Sequence, residues 1–161
     1  MTIEKIRNNF IIVLLIFFFD RISKIFEINL NNKLLGSEIF SSKFLNISLI
    51  WNKGIAFGLF SFSEKIIYNS LTIVILIIIL IIIFMTIKSE GLKKYSLLMI
   101  LGGAFGNIFD RIFYKAVPDF FDFHIGDFHW FIFNVADIFI TIGVIFMILI
   151  ELISTNKEKN P

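Results

Sequence analysis

Hydrophobic residues in this chain come in long blocks, and most polar residues are confined to the gaps between them. Four blocks approach the ~20 residues that a helix needs to cross the hydrocarbon core. They lie at about 6–27, 66–87, 95–112 and 131–153. The first has an unbroken apolar core, Phe10–Phe19, and carries Asp20, Arg21 and Lys24 at its far end. The second is the clearest, since Leu71–Met85 contains one polar residue, Thr72. The fourth is interrupted near its start by Asn134 and Asp137. Between the first two blocks runs a loop from about Ile28 to Lys65. Its middle, Phe44–Trp51, is β-branched and aromatic with partial alternation, which predicts a strand. Asn52-Lys53-Gly54 predicts a turn and Ile55–Phe62 a second strand. The expected fold is all-α and membrane-embedded: four transmembrane helices, with a small β-sheet in the first outer loop lying on the membrane surface. One domain covers residues 1–161, and no internal repeat is visible.

Composition agrees with that pattern. The chain is 57% hydrophobic, where a soluble domain is nearer half apolar. The net charge of +2 is too small to argue for a nucleic-acid partner. The absence of cysteine excludes disulfides, thiolate chemistry and Cys-based metal sites. Lys5 and Arg7 followed by Phe10–Phe19 resemble a signal peptide. Asp20 and Arg21 follow instead of a small-residue cleavage site, so the segment is expected to be an uncleaved first helix. Four spans put both termini on one side. That side holds Lys5, Arg7, Lys88, Lys93, Lys94, Lys157 and Lys159, seven cations against eight opposite. The seven sit in short flanks and the eight are spread over long loops, so charge density favours cytoplasmic termini.

The polar residues that interrupt the pattern cluster in Gly102–Thr141. This stretch holds five of the thirteen acids (Asp110, Asp119, Asp122, Asp127, Asp137), both histidines, Asn107, Arg111 and Asn134. Ionisable groups at a membrane edge are costly and so are functional candidates. With four spans, these residues meet Asp20, Lys24, Asn52 and Gly54 at one membrane face. Each also has a plainer reading. Asp20 and Lys24, at i,i+4, have the spacing of an interfacial ion pair. Gly102 and Gly106 form a GxxxG pair, with Gly103 beside it, that suits close helix packing. Asn107, Asp110 and Arg111 can share a helix face and shape a site; the plainer alternative is an Asp–Arg anchor at the interface. Asp137 stands in an apolar helix with Asn134 on the same face, which favours function. A second carboxylate would make acid/base chemistry available, and Asp119, Asp122 and Asp127 compete for that place. His124 and His129, at i,i+5, have poor metal spacing and are expected at the interface.

These residues resemble the lipoprotein signal peptidases, the signal peptidase II family. The resemblance runs through Asp20-Arg-Ile-Ser-Lys24, Asn52-Lys-Gly54-Ile-Ala-Phe-Gly58, Gly102-Gly103-Ala-Phe-Gly106-Asn107-Ile-Phe-Asp110-Arg111, Val117-Pro-Asp119-Phe120 and Phe133-Asn134-Val-Ala-Asp137. Each motif is weak alone; five in order over nearly the whole chain are specific. The resemblance implies that Asp119 and Asp137 are a catalytic aspartic dyad. It also implies an active site at the outer face of a bacterial cytoplasmic (inner) membrane. The implied substrates are prolipoproteins bearing a diacylglyceryl-modified Cys, cut just before that Cys. Membrane lipid is the other expected partner, a monomer the expected state, and no cofactor or metal is required. Asn52, Gly54, Asn107, Arg111 and Asn134 are expected to bind substrate or orient the dyad. Asp20, Lys24, Gly102, Gly103, Gly106 and Asp110 are expected to give structural support, with Asp110 bracing Arg111. The segment 116–129 is expected to form a lid. The chain departs from the family pattern at Lys115, where Gly is frequent, at Pro118, usually aliphatic, and at Phe131, commonly Pro.

Two other classes compete. A transporter or proton relay would use intramembrane carboxylates, but the acids sit at one face and no two spans carry matching interruptions. A non-catalytic assembly subunit would tolerate loss of Asp119 while needing the Gly102/Gly106 face.

Overall fold

The computed structural model describes residues 3–53 and 64–159. Four long helices are present: α1 (Ile3–Lys33), α2 (Glu64–Lys88), α3 (Gly91–Phe113) and α4 (Val135–Lys159). Four strands accompany them among the described residues: β1 (Phe40–Ser41), β2 (Leu45–Asn52), β3 (Val117–Ile125) and β4 (Phe128–Phe133). Helix α3 is the centre of the bundle, and α1, α2 and α4 each pack against it. The apolar core joins Ile79 of α2 to Leu101, Ala104 and Ile108 of α3, with Val13 of α1 against them.

Among the described residues, three helical segments are long and apolar enough to cross a membrane: Tyr68–Lys88, Gly91–Phe113 and Val135–Ser154. The expected first span is helical, but α1 carries too many charges to qualify on composition. Its burial inverts that of a soluble helix. Asp20, Arg21, Lys24 and Glu27 are buried, while Phe10, Leu15, Phe18, Phe19, Ile22 and Phe26 are exposed. Asp20, Arg21 and Lys24 face α3, and the apolar side chains face outward, as do Ile73, Ile77, Leu80, Ile81 and Phe84 of α2.

The glycines of α3 set how closely its neighbours approach. A Cβ at Gly102 would lie 2.6 Å from Cβ of Ile16 on α1. At Gly103 it would strike the backbone carbonyl of Ala136 on α4, and at Gly106 the Asp20 carboxylate. The Ala136 carbonyl belongs to a helix backbone and cannot swing away. Gly103→Ala should therefore force α3 and α4 apart and destabilise the protein by about 1–3 kcal/mol, the usual range for overpacking. A lowered thermal midpoint in detergent would show this, and an unchanged midpoint would refute it.

The sheet differs from the sequence expectation. Its order is β1-β2-β3-β4, antiparallel throughout. The partner of β2 is β3, with Asn52 opposite Val117 and Ile50 opposite Asp119. The expected second strand, 55–62, lies outside the described residues, as does Gly54; Asn52 is the last residue of β2 and not part of a turn. The expected lid, 116–129, is mostly a β-hairpin. Strand β3 turns at Gly126-Asp127, where Gly126 takes φ +60, and returns as β4. Half of the sheet thus comes from the segment before α4 and not from the first loop. Phe131–Phe133, expected to open the fourth span, belong to β4. Lys115 enters β3 with φ +58, in the left-handed region that favours Gly. The chain therefore takes a glycine-type path at this position with a lysine.

Candidate active site

The site lies where α1, α3, the start of α4 and the β2–β3 pair meet. Asn134 organises it. It ends β4 and caps α4: its side-chain oxygen accepts the Asp137 backbone N–H at 3.1 Å, and its own backbone N–H donates to Oδ2 of Asp137 at 3.1 Å. This is the reciprocal arrangement of a capping box, with Asn and Asp in the places usually held by Ser/Thr and Glu. Asp137 therefore sits in the first turn of α4, where a carboxylate also complements the positive end of the helix. The Asn134 amide nitrogen donates to Oδ1 of Asp119 at 2.6 Å and to Oδ1 of Asn107 at 3.2 Å. One fully buried asparagine thus holds both carboxylates.

Asp119 is buried on β3, and its Oδ2 accepts from Asn52 Nδ2 of β2 at 2.8 Å. Oδ1 of Asp137 accepts from Asn107 Nδ2 of α3 at 2.7 Å. Each carboxylate has about four lone-pair sites, so capacity remains on both for water or substrate. Strand alternation places Asp122, three residues from Asp119, on the opposite face of β3. There it meets Nδ1 of His129 at 2.7 Å, and the His124 and His129 rings stack 5.2 Å apart. Asp127 is exposed in the hairpin turn.

Behind this layer lies a buried ionic cluster. Lys24, with no exposed surface, donates to Oδ2 of Asp20 at 2.9 Å, Oδ2 of Asp110 at 2.8 Å and Oδ1 of Asn107 at 2.9 Å. An ammonium has three donors, and all three are used. The other Asp20 oxygen accepts the Ala136 backbone N–H at 3.0 Å, tying α1 to the first turn of α4. Arg21 bonds Asp110 through Nη2 at 2.7 Å and Asp20 at 3.1 Å, and its guanidinium lies 5.0 Å from the Phe109 ring centroid. Asp110 therefore pairs with Arg21 and Lys24, not with Arg111. The Arg111 guanidinium turns back to the Asn107 carbonyl, and α1 supplies the cations instead. Arg21 was missed by sequence reasoning. The only signal for it was its place between Asp20 and Lys24. Arg111 donates through Nη1 to the Asn107 carbonyl at 3.3 Å, and its own carbonyl accepts the Tyr68 hydroxyl at 2.9 Å. Among the described residues, no three His, Asp or Glu converge as metal ligands.

Burial pushes the Asp119 carboxyl up to about 6 from its ordinary 3.8. The hydrogen bonds from Asn52 and Asn134 oppose that rise, and the Asp137 charge adds to it. The native state then holds a proton that the unfolded chain has released, in the window between these two values. Stability falls as pH rises through that window. Asp119→Asn deletes this contribution. Thermal midpoints in detergent from roughly pH 4 to 7 should drop more for the parent than for the variant. Equal slopes, or a steeper drop in the variant, would contradict the assignment.

A model of the family described as signal peptidase (SPase) II matches residues 12–153. The chain is 54% identical over 152 residues to a lipoprotein signal peptidase of Pelagibacter ubique (strain HTCC1062), covering 94% of this chain and 92% of that one. It is 40% identical over 138 residues to the lipoprotein signal peptidase of Anaplasma phagocytophilum (strain HZ), covering 83% and 84%. A bacterial membrane enzyme solved by the in meso method at 2.3 Å superposes with a TM-score of 0.77 at 28% identity, over 97% of this chain and 94% of that one. A second such enzyme, solved at 1.9 Å, gives a TM-score of 0.73 over 91% and 94%. With the family match running through all four helices and the sheet, this chain belongs to the signal peptidase II family.

Proposed function

We propose that this protein is a membrane aspartic endopeptidase that removes the signal peptide from diacylglyceryl-modified prolipoproteins, cutting just before the lipid-modified Cys. The observation that carries this reading is the Asn134 side chain and backbone bridging Asp119 and Asp137. Two carboxylates held this close cannot both ionise cheaply, so the pair shares one proton near neutral pH. The ionised member takes a proton from a bound water, whose oxygen attacks the scissile carbonyl. The protonated member gives its proton to the developing oxyanion. Collapse of the tetrahedral intermediate returns that proton to its carboxylate, and the carboxyl that took the water's proton gives it to the departing amine nitrogen. The two Asp titrate as a pair, so the roles belong to the dyad. Asn52, Asn107 and Asn134 orient the carboxylates. Arg111, whose Nε has no hydrogen-bond partner, is our candidate for orienting the substrate.

The membrane setting follows the same reading. The outward apolar side of α1 supports a fourth span, with its charges turned in to the site. Four spans and the dense lysines near the termini favour a bacterial inner membrane with cytoplasmic termini and the dyad at the outer face. Apolar gaps between helices would accept the acyl chains of the substrate, and a monomer suffices. The test uses purified protein, a diacylglyceryl-modified precursor and its unmodified twin. Cleavage of the first alone supports the proposal. Cleavage of neither, by folded protein, sinks it, and equal cleavage of both sinks the lipid requirement.

A further inference from the structure

The last four carbonyls of an α-helix have no partner within the helix itself. At the end of α3 the Asp110 carbonyl accepts the Tyr114 backbone N–H at 2.7 Å. The Arg111 carbonyl is satisfied from another helix: the Tyr68 hydroxyl of α2 donates to it at 2.9 Å. The Trp51 ring, near the end of β2, meets the Tyr114 ring edge-on with centroids 5.7 Å apart. Two neighbouring elements thus hold the last turn of α3, and Tyr68 is the contact made to Arg111 itself. Helix ends fray, so a side chain on the last turn is only as well placed as the bonds that hold that turn.

The side chain on that turn has donors to spare. A guanidinium carries five N–H groups. Arg111 Nη1 donates to the Asn107 carbonyl at 3.3 Å, and its buried Nε has no hydrogen-bond partner. Arg111 stands one turn beyond Asn107, about 6 Å along the axis, and Asn107 donates to Asp137 at 2.7 Å. The guanidinium is therefore a neighbour of the dyad, and among the described contacts it bonds neither carboxylate. A group in that place acts on how substrate is held, and displacements of about 1 Å are costly there. We propose that Tyr68 is a positioning residue for substrate binding: its hydroxyl fixes the last turn of α3 and thereby sets the direction of the Arg111 guanidinium. The proposal rests on the peptidase reading and on Arg111 as the group that orients the precursor. Removing the hydroxyl leaves the Asp119 and Asp137 hydrogen bonds untouched, so the loss falls on binding and not on the chemical step.

The test is steady-state cleavage of a diacylglyceryl-modified precursor by the full chain in neutral detergent. Tyr68→Phe should raise KM about fivefold, the scale of one neutral hydrogen bond, with kcat within about twofold of the parent. Arg111→Gln should raise KM about tenfold or more, the scale of a hydrogen bond from a charged group. In the double variant Y68F/R111Q the loss of the hydroxyl should add nothing, since Tyr68 acts through Arg111. Thr72→Val is the control: the Thr72 hydroxyl bonds the Tyr68 carbonyl within α2, and this variant should keep the parent's KM. A Tyr68→Phe protein with the parent's KM would overturn the proposal. So would a KM rise of equal size in the Arg111→Gln background, which marks Tyr68 as packing between α2 and α3. A fall in kcat at constant KM would overturn it too. A parent that cleaves no lipid-modified precursor would sink the peptidase reading and this role with it, whereas a cleaving parent matched by Tyr68→Phe sinks the Tyr68 role alone.

Discussion

Asp119→Asn or Asp137→Asn is expected to lower kcat/KM for a lipid-modified precursor by about 10³-fold or more, within the range that positioned acid/base groups contribute. The expectation is specific because the substitutions are nearly isosteric and the surroundings are rigid. Asp119 accepts one hydrogen bond on each oxygen, from Asn134 and Asn52, and Asp137 accepts one on each, from Asn107 and the Asn134 backbone. An asparagine keeps one of the two bonds and turns an amide toward the other donor. The variants should therefore insert, elute as the parent does and fail in chemistry. Asp122→Asn is the matched control, since Asp122 lies on the opposite face of β3 with His129. It should retain most of the activity. Near-normal turnover by either dyad variant, or comparable loss in Asp122→Asn, would remove the basis for the assignment.

How much of this was legible in the sequence depended on whether a property was local. Helices α2, α3 and α4 announce themselves as apolar blocks because hydropathy needs no knowledge of the partner. Asp137 was conspicuous for the same reason. The capping box is legible too, as Asn134 followed three residues later by Asp137, although the same spacing suits two residues on one helical face. The hairpin was hidden. Residues 117–125 and 128–133 are aromatic-rich and adjoin a membrane block, and the partner of β3 comes from a loop some seventy residues earlier. Strand patterning says which side of a strand is apolar, not which strand it pairs with. The choice of Asp119 over Asp122 and Asp127 rests on the family motif. In the fold, strand alternation sets Asp119 beside Asn52 and Asn134 and turns Asp122 to the other face with His129, while Asp127 lies in the hairpin turn. Arg21 escaped because its shorter-range acceptor, Asp110, arrives from α3 and not from its own sequence neighbourhood.

Lys24→Met should cost more stability than the other changes considered, about 3–5 kcal/mol, because it breaks a buried ion pair on one side only. Lys24 is the sole residue that touches Asp20, Asp110 and Asn107 together among the described contacts. Methionine fills much of the same space and supplies no proton donor. Asp20 and Asp110, both without exposed surface, would then keep Arg21 as their cation among the described contacts, with the Ala136 N–H still on Asp20. Water cannot reach them to compensate, so desolvation dominates. At the few degrees per kcal/mol usual for this chain length, the thermal midpoint in detergent should fall by about 10 °C. The double variant K24M/D110N should recover part of that loss, since it removes one of the stranded charges along with the lysine. The coupling between the two sites is what a double-mutant cycle isolates. If K24M alone melts within about 2 °C of the parent, or if adding D110N deepens the loss additively, the buried cluster is not held together by this ion pair. The midpoint also separates this role from the dyad's: Asp119→Asn should silence cleavage in a protein that still melts cooperatively, whereas K24M should weaken the scaffold that brings Asn107 to Asp137.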